Sequence, residues 1–258
     1  MVNALIFDCD GVLADTERFG HLPAFNQTFK EFGLPVQWSE EDYEEKVKIG
    51  GGKERMASLL TDEYVRQAHL PTDTEGQKRL LAEWHKRKTA IYKEIVASGR
   101  LPGRPGIARI TSEAIANNWK LAVASTSAEE SVRAILEYAV GPKRAAHFEV
   151  LAGDIVPKKK PAPDIYQLSL ERLKVRPEEL LVIEDSRNGL LAALGAGLRC
   201  VVTVSSYTEN EDMREAILVV SDLGDPGKPM RVIANRGPAH PSSYITLNDL
   251  KACLFPLD

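Results

Sequence analysis

The chain begins with a short apolar segment that ends in two aspartates. Residues 4–7 read Ala-Leu-Ile-Phe, and Asp8, Cys9, Asp10 and Gly11 follow directly. An apolar run of this length predicts a buried strand, and side chains two positions apart on an extended chain point the same way. Asp8 and Asp10 are therefore expected to project together beyond the carboxyl end of a strand, where open α/β sheets bind ligands. Two carboxylates there repel one another unless a cation or a proton lies between them. This favours a metal-assisted catalytic pair over an Asp-rich turn.

Beyond residue 15 the chain contains two kinds of sequence. From residue 16 to about residue 102, apolar residues recur at helical spacing and no strand is convincing. After the rigid connector Pro102–Gly106, apolar runs alternate with amphipathic segments, which indicates a parallel, doubly wound sheet. The sequence therefore predicts an α/β fold with a Rossmann-like catalytic core, formed by residues 1–15 and 103–258. An all-helical cap, residues 16–102, is inserted into it.

The individual elements can also be predicted. Strands of the core are expected at 4–7, 120–124, 148–151, 180–183, 200–204 and 217–220. Its helices are expected at 107–117, 128–138, 164–173, 188–196 and 246–254, and those of the cap at 16–32, 42–49, 53–60, 62–68 and 76–97. Pro23 marks a break or a first turn in the first cap helix. The segment 224–243 is rich in proline and glycine and is predicted to be a loop.

Charge and cysteine content narrow the class of partner. The 33 Lys and Arg residues against 37 Asp and Glu give a net charge of −4 at pH 7, which offers no reason to expect nucleic acid or a membrane as partner. No apolar run approaches the ~20 residues of a membrane span, and we expect no signal peptide. Cys9, Cys200 and Cys253 form neither a zinc spacing nor an evident disulfide framework. We expect a soluble, cytoplasmic protein that acts as a monomer.

Polar residues follow two further predicted strands. Ser125, Thr126 and Ser127 come after the strand at 120–124, and Glu184 and Asp185 come after the strand at 180–183. Taken alone, Ser125 could cap the next helix, and the two acids could be turn residues. Because the carboxyl ends of parallel strands share one edge of a sheet, we expect all of these side chains to meet Asp8 and Asp10.

A lysine lies in the loop between those two strands. Lys160 ends the run 158–160, which could be a solvated basic patch. Pro157 and Pro161 brace the run, and a braced lysine suits a fixed charge better than a mobile one. We therefore expect Lys160 to join the site.

These segments, in this order, resemble the four motifs of the haloacid-dehalogenase superfamily of phosphohydrolases. The resemblance implies that Asp8 is the nucleophile, Asp10 the general acid and base, Ser125 a hydroxyl that binds the phosphate, and Lys160 the motif lysine. It also implies an aspartyl-phosphate intermediate and a Mg²⁺ cofactor, with Asp8, a backbone carbonyl near Asp10, Glu184 and Asp185 as metal ligands. Thr126 and Ser127 are assigned to substrate binding.

The predicted cap carries a run of glycines, Gly50-Gly51-Gly52, followed by Lys53. Backbone amides at a helix start and a lysine can bind an anion, although a flexible turn explains the glycines equally well. With Glu17, His21 and the lysine-rich run 157–161, this loop resembles that of the CbbY-type sugar bisphosphate phosphatases.

The CbbY resemblance implies a small phosphorylated sugar as substrate, namely xylulose-1,5-bisphosphate, an inhibitor of Rubisco, so the activity would be metabolite repair. It implies that Glu17, His21, Gly51, Gly52, Lys53 and Lys88 bind this substrate. His21 is equally compatible with packing, and Lys88 with a solvated helix face. If the chain is a trimmed plant or algal protein, its compartment would be the chloroplast stroma.

Three other functions are compatible with parts of the pattern. A phosphosugar mutase of the β-phosphoglucomutase type shares every core motif and differs in returning the phosphate to the sugar. A dehalogenase is disfavoured because it needs no acid at the position of Asp10. A catalytically silent binding module could retain the fold, but the intact set of polar residues argues against it.

Overall fold

The computed structural model describes residues 3–49, 51–99 and 101–255. The described residues form two compact units, one within 1–15 and 102–258 and the other within 16–101. We call them the α/β unit and the helical unit. The expected boundary between residues 102 and 103 differs from this division by one residue, and the roles of the units as catalytic core and substrate-selecting cap stay predictions.

A seven-stranded sheet lies at the centre of the described part of the α/β unit, in the order β3-β2-β1-β4-β5-β6-β7. Strands β1 to β6 are parallel and β7 is antiparallel to β6. The mostly parallel, doubly wound α/β fold is thus confirmed. The strands are β1 (Ala4–Phe7), β2 (Lys120–Ser125), β3 (Phe148–Ala152), β4 (Leu180–Glu184), β5 (Arg199–Thr203), β6 (Leu218–Val220) and β7 (Val232–Asn235).

Strand β1 lies where the strand order reverses. Its four side chains are fully buried, which explains its apolar sequence on both faces. It pairs with β2 on one side and β4 on the other, with Phe7 level with Val123 and Ile183. The residues that follow these three strands therefore emerge side by side at the switch point, where doubly wound sheets bind ligands.

The prediction of a loop throughout 224–243 is wrong at β7. Val232 and Ile233 are β-branched residues that favour a strand, and β7 pairs with the edge of β6. Both side chains are exposed, at 41% and 43%. A four-residue strand with no buried side lacks a hydrophobic pattern, so the surrounding proline and glycine dominated the prediction.

The helical unit contains α1 (Leu22–Glu31), α2 (Glu40–Val47), α3 (Gly52–Ala57), α4 (Asp62–Gln67) and α5 (Thr74–Ala97). The predicted helix 16–32 is in fact a π-helical turn, Glu17–His21, followed by α1, with Pro23 in the first turn of α1. Proline is tolerated there because the first-turn amide has no helical acceptor. Buried aromatic rings with centroids 4.8 to 6.2 Å apart form the core of the unit: Phe25, Phe29, Trp38 and Tyr43.

The helices of the α/β unit are α6 (Ile107–Ala116), α7 (Glu129–Val140), α8 (Pro142–Ala145), α9 (Asp164–Leu173), α10 (Arg187–Gly195) and α11 (Leu247–Ala252). The short α8 and a 3₁₀ turn at Pro177–Glu179 were not predicted, because neither buries a residue and so neither has a hydrophobic pattern. Each has a proline in its first turn, where proline is favoured. Within the described ranges, no helix has the length and apolar content that crossing a membrane requires.

Candidate active site

The strand ends bring the predicted core residues together. Asp8 follows β1, Ser125 is the last residue of β2, and Glu184 is the last residue of β4. The backbone amide of Asp8 donates a hydrogen bond to the carbonyl of Ile183 at 2.9 Å, which extends the sheet pairing up to the acid itself. The side chains of all three polar residues are buried. Their position is thus a consequence of backbone pairing.

Lys160 reaches this edge from its loop. Its Nζ donates to Asp8 Oδ1 and Glu184 Oε1, each at 2.6 Å, and to a main-chain carbonyl of β2 at 2.9 Å. The neighbouring Lys158 and Lys159 are exposed, and Lys159 forms a surface pair with Asp154. The solvated-patch interpretation therefore fits the first two lysines of the run and fails for Lys160.

Three carboxylates form a compact buried cluster. One oxygen from each of Asp8, Glu184 and Asp185 lies within 4.8 Å of the others. The pKa of Asp8 is raised to about 7, because burial and the neighbouring charges of Glu184 and Asp10 outweigh the opposing effect of Lys160. Burial, Glu184 and Asp8 likewise raise the pKa of Asp185 well above its usual range. Three acids against one lysine leave the cluster short of positive charge, and carboxylate oxygens are the ligands that Mg²⁺ prefers.

Asp10 is held by a serine. Ser127 Oγ donates to Asp10 Oδ2 at 2.6 Å, and the amide of Ser127 donates to Ser125 Oγ at 3.1 Å. The carboxylate of Asp10 is outside the three-acid cluster, so the side chain fits the acid/base role better than a metal ligand. Ser127 thus orients this acid, and Thr126 is exposed; binding of substrate by either residue stays a prediction.

Two glycines permit the acids to approach the backbone. Gly11 has a φ of +80°, and a Cβ there would lie 2.1 Å from Asp185 Oδ2. A Cβ at Gly189, in the first turn of α10, would lie 1.9 Å from the carboxyl carbon of Glu184. Such distances are steric overlaps, so neither position accepts a side chain without displacing an acid. Gly189 was missed, although a glycine in the helix start just after Glu184 and Asp185 is a recognisable signal.

Tyr166 was also missed. This fully buried residue of α9 donates its hydroxyl hydrogen bond to Glu184 Oε1, and its ring lies 5.0 Å from Lys160 Nζ. It therefore contacts both partners of an ion pair in the site. Its signal in the sequence is weak, because an aromatic residue in the first turn of an amphipathic helix is usually core.

In the helical unit, Glu17 is engaged by an arginine and a tyrosine. Arg55 Nη1 donates to Glu17 Oε2 at 2.8 Å, and the hydroxyl of Tyr43 donates to the same oxygen at 2.6 Å. Burial lowers the pKa of Arg55, but Glu17 and Tyr43 outweigh it and raise the pKa above its ordinary value. This buried pair compensates its own charge, and the role of Glu17 toward a substrate stays a prediction.

His21 and Lys88 meet in the helical unit. Lys88 Nζ lies 2.6 Å from His21 Nδ1 and 4.5 Å from the centre of the Phe25 ring. An ammonium can only donate, so Nδ1 accepts. The His21 ring stacks on Tyr92 with centroids 4.0 Å apart. Lys88 is only 5% exposed, so its interpretation as a solvated helix residue is wrong.

The glycine run opens α3 as predicted, but its chemistry is untested. Gly51 has a φ of +97° and precedes Gly52, the first residue of the helix, while Lys53 is exposed. Gly50 lies outside the described residues. The positive φ of Gly51 strains any residue with a side chain, so local backbone geometry alone accounts for this glycine. Anion binding by Gly51, Gly52 and Lys53 stays a prediction.

Comparison with known proteins identifies a family of hydrolases and several similar proteins. The model of the haloacid dehalogenase-like hydrolase family matches residues 2–197. The "CBBY-like protein" of Arabidopsis thaliana is 46% identical over 224 residues, which are 87% of this chain and 70% of that protein. A mutant CbbY from Rhodobacter sphaeroides, solved in complex with xylulose-1,5-bisphosphate, has a TM-score of 0.72 and 38% identity, covering 86% of this chain and 95% of its own.

A third relative carries an activity in its name. The "Phosphorylated carbohydrates phosphatase" of Thermotoga maritima is 30% identical over 217 residues, which are 83% of this chain and 91% of that protein. The chain belongs to the haloacid dehalogenase-like hydrolase family and, within it, is a relative of the CbbY proteins. It is a phosphatase, as the order of its motifs predicted.

Proposed function

We propose that this phosphatase hydrolyses a small sugar bisphosphate, xylulose-1,5-bisphosphate, with Asp8 as the nucleophile and Mg²⁺ as cofactor. The observation that carries the proposal is the bridging of Asp8 and Glu184 by Lys160 beside Asp185. The substrate is supported by the sugar bisphosphate bound to the Rhodobacter sphaeroides relative. Location in the cytoplasm or the chloroplast stroma stays a prediction.

Asp8, Glu184 and Asp185 fit a magnesium ion. They offer hard oxygen donors, and their crowding raises the pKa of Asp8 and Asp185, so a cation would relieve the repulsion that burial creates. When bound, Mg²⁺ supplies positive charge that offsets the negative charge of the acids and of a phosphate. Lys160 adds a fixed ammonium to the same place.

Asp8 carries out the covalent step. In its ionised form Oδ2 or Oδ1 attacks phosphorus, a new P–O bond forms, and the bond from phosphorus to the sugar oxygen breaks. Lys160 holds Asp8 Oδ1 at 2.6 Å and lets the two anions approach. The hydroxyl of Ser125, which is buried at the end of β2, would donate to the phosphate.

Asp10 moves the protons. It protonates the sugar oxygen as that oxygen leaves, and it then takes a proton from the water that attacks phosphorus of the aspartyl-phosphate. The bond between Asp8 and phosphorus breaks, inorganic phosphate leaves, and Asp8 is regenerated as a carboxylate and Asp10 as an acid. Ser127 holds Oδ2 of Asp10 at 2.6 Å and fixes the carboxyl group in one orientation. Two carboxyls with different partners, Lys160 for Asp8 and Ser127 for Asp10, can divide the nucleophilic and acid/base roles.

The helical unit would select the substrate. Lys53 is exposed at the start of α3, and Lys88 is buried against His21. A lysine beside a glycine turn suits the phosphate that does not react. Binding of that second phosphate would help to orient the reacting one.

Phosphate release from a panel of pentose and hexose mono- and bisphosphates, with and without Mg²⁺, tests the proposal. We expect xylulose-1,5-bisphosphate to have the highest kcat/KM and phosphate release to depend on Mg²⁺. Conversion of a sugar phosphate to its isomer without net release of phosphate would instead identify a mutase. Equal kcat/KM across the panel would contradict the bisphosphate assignment.

A further inference from the structure

An arginine in the connector Pro102–Gly106 binds four main-chain carbonyls. Arg104 Nη1 donates to the carbonyls of Gly11 and Thr203, the latter at 3.0 Å. Its Nη2 donates to the carbonyls of Val204, at 2.7 Å, and Ser221. These four acceptors belong to three segments that are distant in sequence. The planar guanidinium with its divergent N–H groups suits such a set of acceptors.

The three segments lie at one edge of the sheet. Gly11 belongs to the turn after β1, Thr203 is the last residue of β5 with Val204 directly after it, and Ser221 follows β6. Strand β4 lies between β1 and β5 in the sheet, so the guanidinium spans the end of β4. Asp185 follows β4, and it interacts electrostatically with Arg104.

The turn that Arg104 holds contacts the acid cluster directly. Gly11 lies one residue after Asp10, and its Cα approaches Asp185 so closely that no Cβ fits between them. The main chain of Arg104 is fixed as well, because its amide donates to the carbonyl of Leu13 at 3.0 Å, and Gly103 forms a bridge with Ala14. A shift of Arg104 would therefore move the turn that carries Asp10 and limits Asp185.

We propose that Arg104 is a positioning residue for phosphoryl transfer, which fixes the turn after β1 against the ends of β5 and β6. It touches no reacting atom in this role and acts through the main chain of Gly11. The inference rests on the proposed function, because it takes Asp8 and Asp10 to be the catalytic acids. Displacement of a catalytic group by about 1 Å can cost about a hundredfold in rate, so even a partial loss of this support is measurable.

The test compares Arg104→Lys with Arg109→Lys. Arg109 is a matched control, since its Nη2 also donates to main-chain carbonyls, those of Leu223 and Gly224, without contacting the turn after β1. A lysine keeps the charge and cannot reproduce four bonds from one planar group. Both variants are assayed with Mg²⁺ and a sugar phosphate that the wild type hydrolyses, because its basic leaving oxygen needs the acid that this turn carries, and circular dichroism and Tm are recorded.

We expect Arg104→Lys to lower kcat about tenfold with KM nearly unchanged, and Arg109→Lys to leave kcat within about twofold. A structural role alone would lower Tm and leave kcat of the folded protein intact. Equal kcat in the two folded variants would overturn the inference. Arg104→Gln serves as a second variant, and failure of both Arg104 variants to fold would also overturn it, because the residue would then be structural support.

Asp8→Asn in the same assay separates the two claims. Turnover by Asp8→Asn at the wild-type rate would contradict the proposed active site itself. An inactive Asp8→Asn together with a fully active Arg104→Lys would contradict only the positioning role of Arg104.

Discussion

Buried charge is organised differently in the two units of the molecule. In the α/β unit, three carboxylates share one lysine, Lys160, and the pKa of Asp8 rises to about 7 as a result of burial and crowding. In the helical unit, Glu17 is matched by Arg55, and both side chains are less than a fifth exposed. The pair of Glu17 and Arg55 compensates its own charge, whereas the cluster of Asp8, Glu184 and Asp185 has three acids beside one lysine and could hold a cation. Under the proposed function, incomplete charge compensation rather than burial of charge distinguishes the active site.

The largest loss of activity is expected from substitution of Asp8, the proposed nucleophile in the acid cluster of the α/β unit. Asp8→Asn should lower kcat for any phosphomonoester by more than about a hundredfold, because an amide is a poor nucleophile at phosphorus. The fold should remain, since the substitution removes one charge from an overcrowded cluster. Phosphate release and circular dichroism measure the two properties. A folded variant that keeps more than about a hundredth of wild-type kcat would exclude the covalent route.

The loss of activity on substitution of Asp10 should depend on the leaving group of the substrate. Asp10→Asn should lower kcat/KM about a hundredfold for sugar phosphates, whose leaving alkoxides are basic, and much less for aryl phosphates, whose phenolates leave unaided. The measurement is kcat/KM for a sugar phosphate and for para-nitrophenyl phosphate in the same preparation, because kcat/KM reports the step that releases the leaving group and not the later hydrolysis common to both substrates. Ser127→Ala is the matched variant, because it removes the hydrogen bond to Asp10 and keeps the acid. Equal losses on the two substrates would contradict the acid/base role.

The convergence of the core residues could be predicted from the sequence because it depends on the backbone. Parallel pairing of β1 with β2 and β4 brings Asp8, Ser125 and Glu184 to one edge of the sheet regardless of the contacts their side chains form. The roles of Ser127 and Tyr166 could not be predicted, since each depends on one side-chain hydrogen bond formed across the fold. The burial of Lys88 was missed because it also depends on a contact across the fold, and helical spacing does not indicate that His21 is its neighbour.

A smaller effect is expected in the helical unit. Lys53→Ala should lower kcat/KM for a pentose bisphosphate by about ten- to a hundredfold, because a charge-assisted contact to the second phosphate contributes about 1.5–3 kcal/mol. It should change kcat/KM for para-nitrophenyl phosphate little, since that substrate has no second phosphate. Lys86→Ala is the control, an exposed lysine on α5. If Lys53→Ala affects both substrates equally, or neither, Lys53 does not read the second phosphate.

The smallest effect expected is a dependence of Mg²⁺ affinity on pH. The folded pKa of Asp8, about 7, lies above the ordinary value of 3.8, so the metal-free protein loses stability as pH rises through this interval. Mg²⁺ competes with that proton, and its affinity should fall about tenfold between pH 8 and pH 6. Titration calorimetry and Mg²⁺-induced shifts in Tm measure this dependence. The Asp8→Asn variant should show less of it, and an unchanged affinity in the wild type would contradict the cluster as the metal site.

The central claim is that Asp8 accepts the phosphoryl group, and trapping that intermediate tests it most directly. Asp10→Asn is mixed with Mg²⁺ and para-nitrophenyl phosphate, whose phenolate leaves without an acid, so that the intermediate forms but its hydrolysis lacks the general base. The sample is quenched in acid and mapped by peptide mass spectrometry, with the double variant Asp8→Asn/Asp10→Asn as control. The account predicts the added mass of one phosphoryl group on the peptide that contains Asp8, and none in the control. Turnover by Asp10→Asn with no phosphorylated peptide, or phosphorylation that persists in the control, would contradict it.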